Sequence, residues 1–323
     1  MKLGVFLVLF ADRPFEAALD RVVEAGLDCV EIGTGNYPGS AHCEPAELLA
    51  DRSKLDAFRK AVESRGLGIS ALACHGNPLH PKRDVAQSSH ETFVRTVELA
   101  ERMEVGTITL FSGCPGDSDT AQYPNWVTCA WPNEYGEMLE WQWREKVLPY
   151  WRDQAAFASQ HHVRLAFEMH PGFVVYNPRT LLMLRDVCGE AVGANLDPSH
   201  LFWQGVDLES AIAALGEAKA LYHVHAKDTE ILKKNASVNG VLDTVPLSDV
   251  AHRSWIFRTV GYGHSELDWR RLIMALRMGG YDGTLSIEHE DALFSIDEGF
   301  GKGIAFLRSI MPTEPPLTQA WWT

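Results

Sequence analysis

LAFEMH, residues 165–170, is a short apolar run that turns charged and polar at its end. Three later stretches repeat the pattern: ANLDPSH at 194–200, LYHVHAKD at 221–228 and LSIEHE at 285–290. Such runs are too short for ordinary helices. Brief, nearly continuous apolar runs are how strands buried on both faces read. Each offers a carboxylate or an imidazole at its end: Glu168, Asp197, His225 and Glu288. If the four strands lie parallel in one sheet, those four side chains meet.

Outward from these four, the same alternation of apolar run and amphipathic stretch covers the chain. Strands are predicted at Leu3–Phe10, Cys29–Gly33, Gly68–His75, Thr107–Ser112, Arg164–Glu168, Gly193–Asp197, Leu221–His225 and Thr284–Glu288. The helices that follow them are expected at Pro14–Ala25, Pro45–Ser64, Glu91–Glu104, Tyr135–Gln160, Thr180–Val187, Leu208–Leu215, Leu267–Met278 and Phe300–Ile310. Gly26, Gly66 and Gly280 end helices just before the next strand, where a left-handed cap suits glycine. Alternation of this kind calls for a parallel sheet covered by helices, and eight repeats predict closure into a (β/α)8 TIM barrel. An open doubly wound sheet is the rival, but no glycine-rich fingerprint follows the first strand. The barrel is expected as one domain over residues 1–312, with a C-terminal tail at 313–323. Two connections are long, after strand four (113–134) and after strand seven (228–264). Long loops in compact domains usually serve function, and in a barrel both lie on the active face. The strand-four connection carries Trp126 and Trp131, with Trp141, Trp143 and Trp151 just beyond. These rings are read first as core or lid packing, with stacking on a sugar ring or aryl group as the alternative.

Composition narrows the partners. The 323 residues carry a net charge of −14, which repels nucleic-acid phosphates and favours a small polar substrate. Six scattered cysteines without a CxxC pair fit a reducing, cytoplasmic setting. MKLGVFLVLFADRP reads as a buried first strand rather than a signal peptide, because Asp12 and Arg13 follow without a small-residue cleavage site. No stretch is long enough to span a membrane.

Side chains two apart on a strand share a face. Glu168 pairs in this way with His170, His223 with His225, and Glu288 with Glu290, so parity alone does not choose within each pair. Asp197 precedes Pro198, which holds it extended at the strand's end. Carboxylates with one imidazole suit Mn²⁺, Mg²⁺ or Co²⁺ and admit Zn²⁺. No cysteine is placed to build a structural zinc site.

FEMHP, LDPSH, HVHAKD and IEHED, in that order on an eightfold pattern, resemble the xylose-isomerase-like barrel superfamily. That group includes sugar-phosphate isomerases and epimerases, ketose 3-epimerases, inosose dehydratase and the endonuclease IV group. The resemblance implies Glu168, Asp197, His225 and Glu288 as ligands of one divalent metal, Mn²⁺ foremost. It implies His200 as a contact to substrate or metal-bound water. It also implies Glu168 and Glu288 as the acid–base pair of a sugar isomerase or epimerase. They would move a proton alpha to a carbonyl through a metal-stabilised enediolate. His75 is a candidate for holding a sugar hydroxyl, and Glu31 could do similar work or form a salt bridge. His170 shares a face with Glu168 and is a candidate contact either to substrate or to groups behind the metal ligands. Arg258 lies where relatives carry an arginine near substrate. Relatives are often dimers or tetramers, so a homo-oligomer is expected.

Two departures matter. Ketose 3-epimerases place an arginine six residues after the strand-seven histidine, where this chain has Ile231. Lys227 and Asp228 instead resemble inosose dehydratase. This keeps a second reading open: a lyase eliminating a beta substituent from a keto-sugar, keto-inositol or keto-glycoside, where the related deglycosidases work with a small partner subunit. The endonuclease branch needs a histidine after strand four, and Thr107–Gly113 holds none. A third reading is a non-catalytic ligand-binding barrel.

Overall fold

The computed structural model describes residues 1–315; Trp321 and Trp322 of the expected tail lie outside them. Eight parallel strands close into a barrel: β1 (Lys2–Phe6), β2 (Cys29–Gly33), β3 (Gly68–Ala73), β4 (Thr107–Leu110), β5 (Arg164–Glu168), β6 (Val192–Leu196), β7 (Leu221–Ala226) and, last in the ring, Thr284–Ile287. Between β7 and that last strand lie two more, β8 (Asp228–Ile231) and β9 (Trp255–Arg258). They pair antiparallel outside the barrel, so the closing strand is β10. Closure is made by β1, which pairs with β2 on one side (Phe6↔Glu31) and with β10 on the other (Val5↔Ile287). The fold is a (β/α)8 barrel with helices outside.

The first strand is shorter than its apolar run. After Phe6 the chain turns into a 3-10 segment, Leu7–Phe10, in which Leu7, Leu9 and Phe10 stay buried. Phe10 meets Phe300 edge-on at 5.2 Å. Burial, not strand pairing, explains these residues. The expected helix Pro45–Ser64 is broken at Asp51, whose side chain caps a second helix by accepting from Ser53 N at 2.8 Å and Lys54 N at 3.2 Å. Gly66 takes φ of 72°, the left-handed turn that leads into β3.

The connection after β7 is not an open loop. It folds as the β8–β9 ribbon with a helix, Lys233–Asn239, between the strands. Asp228 fixes it: Oδ2 accepts from Gly261 N, Gly263 N, His264 N and the Trp269 indole at 2.9 to 3.1 Å. Fully buried, this carboxylate ties the ribbon's return to the helix Glu266–Met278. The connection after β4 is held by Gln142, also fully buried, which donates to the carbonyls of Pro115, Gly116 and Asn125. Gln142 begins a π-helical stretch, Gln142–Val147, in which the ladder widens within one long helical run.

All six cysteines are free, and Cys29 and Cys74 are buried as small apolar groups. Among the described residues no helix is long and apolar enough to cross a membrane.

Candidate active site

Glu168 ends β5, Asp197 follows β6, His225 is near the end of β7 and Glu288 follows β10. The barrel brings all four to the same face. Glu168, Asp197 and His225 offer ligand atoms within 4.8 Å of one another. Glu288 joins them through His225, whose Nδ1 lies 3.0 Å from Glu288 Oε2 and 3.3 Å from Glu168 Oε2.

Local structure explains the aim of Asp197. It caps the short helix Pro198–Phe202, with Pro198 at the first helical position. One oxygen, Oδ1, accepts from Ser199 N at 2.8 Å. The other, Oδ2, is buried and forms no aligned hydrogen bond, although Lys227 Nζ and His200 Nε2 lie 3.1 and 3.2 Å away. A buried carboxylate oxygen without an aligned donor, beside two more carboxylates and an imidazole, fits a hard or borderline divalent cation. Glu168, Asp197, His225 and Glu288 could hold one.

The flanking groups carry charge. His200 Nε2 is 3.1 Å from Glu168 Oε1, and His75 Nε2 is 3.0 Å from Glu168 Oε2. Burial alone would raise the Glu168 carboxyl, but the imidazoles of His200, His225 and His75 outweigh it and hold it well below the usual range. Burial would likewise depress His200, yet Asp197 beside it lifts the imidazole to about 9. His170 is pushed down to about 3 by burial and the charge of His200, whose ring is 4.0 Å away.

Lys227 is the feature that the sequence reading underweighted. Its ammonium is buried and bridges Asp197 Oδ2 (3.1 Å), Glu288 Oε2 (3.0 Å) and Glu290 Oε2 (2.9 Å). It also lies 4.6 Å from the centre of the Phe257 ring, on β9. Burial disfavours the charge, but Asp197, Glu288 and Glu290 more than compensate and hold the amine protonated.

The cavity above this cluster has a volume of about 190 Å³. Glu168, His170, Lys227, Glu288 and Glu290 line its charged side; Phe6, Tyr37 and Phe111 line its apolar side. His75 completes it, edge-on to Phe111 at 4.6 Å. His200 backs Glu168 and Asp197. Arg258 is not brought to this cavity. It pairs with Asp291 and Glu230 and links the β8–β9 ribbon to the segment after β10. The tryptophans of the β4 connection do not line it either. Trp126 and Trp143 border a separate groove of about 530 Å³ with Tyr176 and Met183, and Trp151 is buried, donating to Ser112 O at 2.8 Å. The aromatic side of the acidic cavity is built by Phe6, Tyr37 and Phe111 instead.

Barrel closure, the helix shell and the polar cluster at the strand ends define a (β/α)8 barrel with a candidate metal site on one face. Residues 19–310 match the xylose isomerase-like TIM barrel family, and the chain belongs to it. The uncharacterized protein YfiH of Bacillus subtilis strain 168 is 35% identical over 311 residues, spanning 95% of this chain and 98% of YfiH. A D-psicose 3-epimerase from Clostridium cellulolyticum H10, solved with D-tagatose, has the same fold. Its TM-score is 0.61 at 14% identity over 96% of this chain and 99% of that one. The probable 3-DHS dehydratase AsbF from Bacillus anthracis superposes with a TM-score of 0.65 at 16% identity, over 95% and 99%.

Proposed function

We propose that the protein is a divalent-metal-dependent isomerase or epimerase of a small, unphosphorylated sugar or polyol derivative. The observation that carries this is the pair of glutamates, Glu168 and Glu288, from β5 and β10. Both lie within 3.3 Å of one imidazole nitrogen and both face one small cavity. Two carboxylates facing one bound carbon are what removal and return of a proton require.

Glu168, Asp197, His225 and Glu288 would hold the cation, with Mn²⁺ the best match to three carboxylates and one imidazole. When bound, it supplies the Lewis acidity that makes a C–H proton beside a carbonyl acidic enough for a carboxylate base. Glu168 and Glu288 carry the proton between the substrate's faces. His200, protonated near neutral pH, keeps Glu168 ionised and ready to accept. Lys227 places a fixed positive charge where oxyanion character develops. His75 and His170 take hydroxyls, and Phe6 and Phe111 cover the apolar face of the ring. The cavity is smaller than the roughly 300–1,000 Å³ of pockets for drug-sized ligands, which favours a free sugar.

Lys227 and Glu290 also support a second reading, beta-elimination. An ammonium–carboxylate pair at the cavity wall is placed to steady a departing hydroxyl, and AsbF has the same fold. One experiment separates the two. The protein is loaded with Mn²⁺ and incubated in D₂O with a panel of keto-sugars and keto-inositols. Deuterium gained with the carbon skeleton and hydroxyls intact supports isomerisation; loss of water supports elimination. No exchange and no loss across the panel would refute both.

A further inference from the structure

We infer that Glu31, on β2, is a positioning residue that sets which nitrogen of His225 faces the carboxylate cluster; this rests on the proposed cation site. Glu31 is fully buried in the barrel and meets Ser286, two residues before Glu288 on β10, which places it below the strand-end carboxylates. Barrel interiors at this depth are usually filled by branched aliphatic side chains, so a buried carboxylate there calls for a reason.

Its neighbours supply one. Thr109 Oγ1 donates to Glu31 Oε1 at 2.6 Å, and Ser286 Oγ donates to Oε2 at 2.8 Å. These hydroxyls come from β4 and β10 and fix the carboxylate's plane. The carboxylate then accepts from His225 Nε2 at 2.9 Å. An ionised carboxylate only accepts, so Nε2 must carry the hydrogen. The opposite nitrogen, Nδ1, is turned to Glu168 and Glu288 at 3.3 and 3.0 Å. Phe6 stacks on the imidazole at 5.6 Å with 27° between planes, which resists ring rotation. Nδ1 is therefore the atom that a cation held by Glu168, Asp197 and Glu288 would meet, and Glu31 is the carboxylate behind it.

Glu31, His223 and His225 themselves offer three ligand atoms within 4.8 Å, so a second cation site at this level is the competing account. Hydrogen bonding decides against it. Both Glu31 oxygens have aligned donors, and His223 Nδ1 meets Asn195 Oδ1 at 3.1 Å. Neither residue has a buried side-chain atom without a partner, whereas Asp197 Oδ2 is such an atom in the upper cluster. The lower layer is closed on itself; the upper one is open to a ligand.

The test is calorimetric titration of the metal-free protein with Mn²⁺, wild type against Glu31→Gln, and ¹⁵N-histidine NMR of both in the metal-free state. Wild type is expected to take one cation per chain and to show a downfield, exchange-protected Nε2–H resonance for His225. Glu31→Gln is expected to keep the stoichiometry, weaken affinity by about 10- to 100-fold, and shift or lose that resonance. Ser286→Ala, a gentler change that removes one donor to Glu31, should weaken affinity by a smaller factor in the same direction. Unchanged affinity with an unchanged resonance overturns the assignment. So does a stoichiometry of two in wild type that falls to one in Glu31→Gln. If wild type binds no divalent cation, the proposed site fails separately. The His225 resonance then decides Glu31 by itself: moved by Glu31→Gln it supports the assignment, unmoved it overturns it.

Discussion

Replacing Lys227 with methionine tests the electrostatic logic of the site, because the side chain's length is kept and its charge removed. The ammonium is buried and contacts Asp197, Glu288 and Glu290 at 2.9 to 3.1 Å. At an effective dielectric constant near 20, one such contact contributes about 5 kcal/mol of Coulomb attraction before desolvation is subtracted. Asp197 remains buried and Glu288 largely so in the variant. Removing one partner from a buried ion pair destabilises by about 3–5 kcal/mol, since the other charge is left without compensation. In a chain of this size that lowers Tm by roughly 4–7 °C. A divalent cation bound by the same carboxylates restores the missing counter-charge and no longer has an ammonium beside it. Differential scanning calorimetry of the metal-free variant should therefore show the full loss, and saturating Mn²⁺ should recover at least half of it. The variant's Mn²⁺ affinity should rise by about tenfold, or 1.4 kcal/mol. An equal Tm deficit with and without the cation, or a metal-free deficit under 2 °C, would refute the claim that Lys227 and a cation share these carboxylates.

Glu168→Gln keeps shape but removes the proton carrier, and should lower both turnover and deuterium uptake from D₂O by about 10²–10⁴; exchange within tenfold of wild type would move that role elsewhere. His170 and His223 are held neutral by burial, at about 3 and about 4. Because these folded values lie below the usual 6.5, the unfolded chain binds more protons, so their contribution is present above pH 6.5 and lost as pH falls toward 4 and then 3. By urea unfolding of metal-free protein, stability at pH 4.5 should be lower than at pH 7 by about 2–3 kcal/mol for each imidazole, and a flat profile over that range would refute this. Arg258→Ala removes the pairings with Asp291 and Glu230 and should destabilise by about 1–3 kcal/mol with KM unchanged; a tenfold rise in KM without loss of stability would place Arg258 on the substrate instead.

How far the site was legible follows from strand periodicity. Parity paired Glu168 with His170, His223 with His225 and Glu288 with Glu290 without choosing within a pair, because residues two apart on a buried strand share a face. Carried one step further, the same rule reaches Lys227 from His225, and Lys227 lines the cavity beside Glu290. The signal for Lys227 was present in LYHVHAKD but was read as motif rather than as geometry. Phe6, Tyr37 and Phe111 were less legible. They come from three separate segments, and only the closed ring of strands brings them to one wall. Arg258 shows the opposite limit. Its place in RTVGYGH suggested a substrate contact, yet the ribbon formed by β8 and β9 turns it toward Asp291. That pairing joins residues 33 apart, and no local pattern encodes it. The tryptophans near the β4 connection follow their packing reading rather than the stacking one: Trp143 and Trp151 are buried, and none lines the acidic cavity.

The two polar layers of the barrel do different work, and their hydrogen bonding separates them. In the lower layer every acceptor of Glu31 has an aligned donor from a neighbouring strand, so the carboxylate rigidifies the barrel where a cation would have nothing to gain. In the upper layer the carboxylates of Glu168, Asp197 and Glu288 are compensated by exchangeable protons on His200 and His225 and by the fixed ammonium of Lys227. A proton on His225 stands where a cation would bind, and imidazole must be neutral to be a ligand. The site can thus remain electrically satisfied before loading and give up a proton on loading. That keeps the buried carboxylates from unfolding the barrel, and leaves Lys227 as the one fixed positive charge at the cavity wall. With Glu288 and Glu290 both drawn onto that ammonium, little positive potential remains for a phosphate. Under the proposed function, this charge distribution, rather than any missing loop, is what would select a neutral, hydroxyl-bearing ligand.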